Sequence, residues 1–89
     1  MTSFRSHYLR HAELTQVLES WAKEHPRLVH LQSIGKSPEG RDLLVATIGP
    51  DPERIRPAAW VDGNMHAVEL CGSSVALAIA EDVLALATA

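Results

Sequence analysis

Eighty-nine residues with 46% hydrophobic and 21% charged side chains make one small domain at most and exclude a disordered chain. A net charge of −3 gives no reason to expect nucleic acid or an anionic membrane as partner. Cys71 is the only cysteine, which excludes an internal disulfide.

Charge is unevenly placed along the chain. Every Lys and Arg lies at or before Arg56, and beyond it the acidic side chains are only Asp62, Glu69, Glu81 and Asp82. Met1 to Arg5 leads into polar sequence without the apolar core of a secretory signal, so the expected compartment is cytoplasmic. Glu81 and Asp82 interrupt the apolar C-terminal run and rule out a spanning helix.

Residues 10–24 predict an amphipathic helix. Leu14, Val17, Leu18, Trp21 and Ala22 recur at helical spacing, while Glu13, Gln16, Glu19, Ser20 and Lys23 face elsewhere. Pro26 stops it, because the residue before a proline avoids the helical region. Leu28 to Ile34 and Arg41 to Ile48 read as two strands, and Gly35-Lys-Ser-Pro-Glu-Gly40 between them carries turn chemistry, so the pair predicts a β-hairpin. A proline-rich connection over 49–57 leads to Ala58-Ala-Trp-Val-Asp62, a short apolar third strand. From Ala67 to about Leu86 the pattern is helical and apolar nearly all round. The order helix–strand–strand–strand–helix argues for an α/β or α+β layer architecture. A terminal helix apolar on nearly every side lacks partners in so short a chain. Self-association through that exposed face is therefore expected.

The chemistry concentrates at Trp60-Val-Asp-Gly-Asn-Met-His66-Ala-Val-Glu69. A histidine and a glutamate three apart, at a strand-to-helix junction, lie on one side of the first helical turn and reach one cation. Imidazole nitrogen with carboxylate oxygen suits zinc, and a site of few protein ligands keeps a position for water. The spacing itself is weak, since five histidines make a His-x-x-Glu match an ordinary coincidence. On spacing alone, the readier account is that Glu69 complements the helix N-terminal dipole and His66 hydrogen-bonds within its loop. Asp62 is open to two roles, orienting a ligand or capping the loop.

Other candidates carry less. His7 and His11 are four apart at a frayed start and read as solvated, and His25 and His30 read as structural or exposed. Cys71 on an apolar helix reads as a small buried hydrophobe. Ser73 and Ser74 lie within the helix, away from any nucleophile turn, and read as core packing. The turn from Lys36 to Arg41 has too few glycines, and no following helix, to cradle phosphate.

Four segments resemble, in this order, the opening of the zinc carboxypeptidases of the M14 family. They are Tyr8-Leu-Arg with its amphipathic helix, His25-Pro-Arg-Leu-Val29, Ile34-Gly-Lys-Ser-Pro-Glu-Gly-Arg41 and Trp60 to Glu69. The resemblance covers nearly the whole chain from Tyr8 onward. It implies a three-layer α/β/α fold with a mixed sheet, of which residues 1–89 supply an incomplete N-terminal part: helix, β-hairpin, strand, helix. It also implies that His66 and Glu69 are zinc ligands, joined in the family by a downstream histidine, a downstream glutamate that activates the metal-bound water, and downstream arginines. The expected activity of the complete domain is removal of C-terminal residues from peptide substrates. This chain, with two ligands and no general base, is expected to bind zinc weakly and to be inactive alone. Where digestive-type members often carry arginine, just before the glutamate, this chain has Val68, so their subsite preference does not transfer. Two alternatives stand beside this reading. One is a deacylase of the succinylglutamate desuccinylase or aspartoacylase type, whose usual Gly-x-His-Gly-Asn-Glu fits Ala67-Val68 poorly. The other is a non-catalytic interaction module.

Overall fold

A computed structural model describes residues 4–89. The elements run α1 (His11–Glu24), β1 (Val29–Lys36), β2 (Asp42–Ile48) and α2 (Cys71–Ala87).

Helix α1 forms where its periodicity predicts. At its start, the Glu13 carboxylate accepts the Arg10 N–H at 2.9 Å, satisfying a donor that helix geometry leaves open. At its end, the His25 N–H returns to the Trp21 carbonyl at 2.9 Å, just ahead of Pro26. Strands β1 and β2 pair antiparallel, with Val29 opposite Ile48, Ser33 opposite Leu44 and Lys36 opposite Asp42. The register shifts between Ser33 and Lys36. The turn closes through Ser37, whose N–H reaches the Arg41 carbonyl at 2.8 Å and whose carbonyl takes the Gly40 N–H at 2.9 Å. Gly40 has φ +81°, a backbone that favours glycine.

Asp42 bridges the two strands beside that shift. Its Oδ1 accepts from Lys36 Nζ and from Ser33 Oγ, each at 2.9 Å. The hydrogen bond from Lys36, then that from Ser33 and the Lys36 charge, draw the Asp42 carboxyl below its ordinary 3.8. A folded-state value below the unfolded one contributes stability above the unfolded value and loses it as pH falls through the folded one. The hairpin is therefore expected to loosen below about pH 4, seen as faster exchange of the β1 and β2 amides. In Asp42→Asn the register should be weaker at neutral pH, with little further acid loosening.

The core is small. Phe4, Val17, Leu18 and Leu77 form one buried cluster, flanked by Leu9, Leu14, Trp21, Leu31, Ala46 and Ala78. Phe4 meets Trp21 edge to face with ring centroids 6.0 Å apart, a favoured aromatic geometry. Arg5, next in sequence, binds α2 from outside through Glu81 at 2.8 Å and Asp82 at 3.0 Å. Residues 4 and 5 thus tie α1 to α2.

Three sequence expectations change. Residues 58–62 pair with no strand among the described residues, and Trp60 and Val61 are exposed. A five-residue run is a strand only where a neighbour supplies ladder bonds, and among the described residues the sheet holds β1 and β2 alone. Helix α2 begins at Cys71 rather than Ala67, because the preceding residues close shorter turns: Glu69 N–H to the His66 carbonyl at 2.9 Å, and Gly72 N–H to the Glu69 carbonyl at 3.0 Å. Cys71 is exposed, not buried, as the first residue of that helix. It lines an open cleft with Phe4, Tyr8 and Val75. Elsewhere α2 buries Leu77 and Leu84 but leaves Val75, Ile79, Val83 and Leu86 exposed. No helix of the described residues is long and apolar enough to cross a membrane.

Candidate metal centre

His66 and Glu69 come together. His66 Nδ1 lies 3.1 Å from Glu69 Oε2, while the other carboxylate oxygen faces the His66 backbone N–H at 3.4 Å. The carboxylate is thus divided: Oε1 turned to the backbone, Oε2 to the imidazole. Both side chains stand in solvent, 70% and 53% exposed. Among the described residues no cationic side chain is paired with the Glu69 carboxylate, whose hydrogen bonds run to His66.

The pair sits on a turn ahead of α2, not on its first helical turn. That turn is held from two sides. Asn64 adopts φ +61° in the left-handed region, which Asn tolerates better than most residues. Oriented to satisfy its surroundings, its side-chain amide donates to the carbonyls of His66 at 3.1 Å and Glu69 at 2.8 Å. Gly63 and Gly72 then face each other backbone to backbone. A Cβ on Gly63 would overlap the Gly72 carbonyl, and one on Gly72 would overlap the Asn64 amide nitrogen.

Donor chemistry and separation both fit zinc. Two donors about 2.0–2.1 Å from one tetrahedral ion lie roughly 3.3 Å apart, close to the 3.1 Å found here. Among the described residues no group of three His, Cys, Asp or Glu is placed to hold a metal, so the pair stands without a third ligand. Asp62 takes neither expected role: its Oδ2 accepts the Trp60 indole N–H at 2.6 Å. His30 is structural, its Nε2 facing the Arg27 and Gly49 carbonyls at 3.1 and 3.2 Å. His7 is exposed against Ser6, and His11 and His25 sit at the two ends of α1. The Asn64 brace and the glycine pair escaped sequence reasoning. The usable signal was Gly72, an isolated glycine in a helical pattern, which marks a close backbone approach or a helix end.

Residues 14–87 match the zinc carboxypeptidase family. The chain is 36% identical over 81 residues to carboxypeptidase D of Anas platyrhynchos, covering 88% of the chain and 6% of that protein. It is 34% identical over 82 residues to the human carboxypeptidase N catalytic chain, covering 89% of the chain and 18% of the relative. Against human carboxypeptidase A6, identity is 42% over 50 residues, 56% of the chain and 11% of the relative. The chain therefore spans less than a fifth of the length of each of these relatives. The family match spans the helix, the hairpin, the turn bearing His66 and Glu69, and α2, and so the chain belongs to the zinc carboxypeptidases, the M14 peptidases.

Proposed function

We propose that this chain supplies two zinc ligands, His66 and Glu69, to a catalytic domain that removes C-terminal residues from peptides. The observation that carries the proposal is the 3.1 Å approach of His66 Nδ1 to Glu69 Oε2 on a braced turn. Membership of the zinc carboxypeptidases supports peptide hydrolysis in the complete domain. When bound, zinc polarises the scissile carbonyl and lowers the pKa of its water towards neutrality.

The chain's own residues have a narrower task. His66 presents a nitrogen lone pair once Nδ1 carries no proton, and Glu69 presents Oε2 while its other oxygen faces the His66 N–H. Holding both donors before the cation arrives spares the ordering cost that two loose side chains would incur. General-base and carboxylate-binding groups must come from elsewhere in the domain. With two ligands, against the three or four of ordinary zinc sites, the chain alone should bind zinc weakly and hydrolyse nothing.

The metal assignment is tested on the 89-residue chain with zinc alone, following the His66 ring signals by NMR. A saturable shift is expected for the native chain, and its loss in His66→Ala and Glu69→Gln. An unchanged zinc response in both variants would sink the proposal. The substrate class is tested on a polypeptide joining this segment to the remainder of its catalytic domain. Release of a C-terminal amino acid from a blocked peptide, and not of an acyl group from an acylated amino acid, is the expected result.

A further inference from the structure

We infer that Asn64 is a positioning residue for the metal pair, acting through its side-chain amide rather than only through its backbone. The inference rests on the reading of His66 and Glu69 as zinc ligands. One amide reaches the carbonyls of both ligand-bearing residues, His66 at 3.1 Å and Glu69 at 2.8 Å. Those same carbonyls accept the Glu69 and Gly72 N–H groups at 2.9 and 3.0 Å. Both backbone hydrogen bonds that close the turn therefore end on an oxygen that Asn64 also holds.

The consequence is geometric. A peptide plane is rigid, so its carbonyl direction constrains the backbone that carries the neighbouring side chain. Clamping the carbonyls of residues 66 and 69 to one amide constrains the backbone rotations from which imidazole and carboxylate project. The left-handed φ of +61° is what turns the short Asn64 side chain back onto its own loop. A residue limited to the right-handed or extended regions would point the amide elsewhere. Partners that orient metal ligands without touching the metal are commonly worth 10–100-fold in affinity.

Two variants separate amide from backbone. Asn64→Gly keeps the left-handed backbone readily and deletes the amide. Asn64→Asp keeps shape and tolerance of positive φ but sets a carboxylate against two carbonyls. Zinc affinity is read from the His66 ring signals, and the ring ¹⁵N shifts without metal report whether His66 still meets Glu69. Amide exchange of α1 and of Leu77 reports the core. Zinc affinity is expected to fall about tenfold in Asn64→Gly and further in Asn64→Asp, with altered His66 ring shifts before metal is added and unchanged core exchange. Should Asn64→Gly bind zinc within twofold of the native chain, the backbone alone suffices and the inference is overturned. If Asn64→Gly loosens the core, Asn64→Asp decides in the same way. A native chain giving no saturable zinc shift would instead overturn the ligand assignment beneath it.

Discussion

Phe4→Ala is expected to abolish most of the cooperative unfolding transition of this chain. Phe4 is 7% exposed and is one of six buried hydrophobic residues among those described. It meets Trp21 of α1 edge to face and shares one buried cluster with Leu77 of α2. Removing a buried phenylalanine ring costs about 3–5 kcal/mol, because the cavity collapses only in part. Domains hold about 0.05–0.15 kcal/mol per residue. For 89 residues that is about 4–13 kcal/mol, and a core this small belongs at the low end. The loss is therefore comparable with the whole. Urea unfolding followed by fluorescence distinguishes the cases, since Trp21 packs on Phe4 while Trp60 is exposed in both states. Phe4→Leu should retain a measurable transition, because an apolar side chain still fills most of the site. A Phe4→Ala midpoint close to that of the native chain would show that the N-terminal segment does not hold the helices together. Arg5→Ala is the contrasting case, because its ion pairs with Glu81 and Asp82 stand in solvent and exposed pairs contribute little.

Phe4 also shows where sequence reasoning stopped. The helix over 11–24 was legible because Leu14, Val17, Leu18 and Trp21 repeat at its period, and the hairpin because turn residues separate two apolar runs. Both signals are local. A lone phenylalanine in a polar leader has no period, so its burial depends on α1 and α2 approaching each other, which no window of sequence records. The same limit explains Trp60. An apolar run reads as a strand, but a strand exists only with a neighbour, and here the indole N–H turns to Asp62 two residues on. The approach of His66 to Glu69 was legible in their spacing, but not in what braces it. His66 and Glu69 were marked by ligand chemistry and by resemblance. Their placement on a pre-helical turn follows from Asn64 and from two glycines whose contact spans nine residues.

That glycine contact yields the second large effect. By helix propensity alone, Gly72→Ala at the second position of α2 should stabilise the chain by up to about 1 kcal/mol. The structure predicts the opposite. A Cβ there would overlap the Asn64 amide nitrogen and lie 3.2 Å from both the Asn64 Cα and the Gly63 carbonyl carbon. All three are backbone atoms, so no side-chain rotation relieves the overlap and the loop itself must move. Overpacking commonly costs about 1–3 kcal/mol, enough to outweigh the propensity gain. Gly63→Ala meets the other half of the same contact, since its Cβ would overlap the Gly72 carbonyl and lie 3.1 Å from the Gly72 Cα. Each substitution is expected to lower the thermal midpoint, fray the first turn of α2 in amide exchange, and weaken the zinc response of His66. Because either one already separates the two backbones, the double variant should cost less than the sum of the singles, the coupling expected of residues in direct contact. A raised midpoint for Gly72→Ala with an intact His66 response would mean that loop and helix do not meet as closely as this, and the bracing of the His66–Glu69 pair would have to be sought elsewhere.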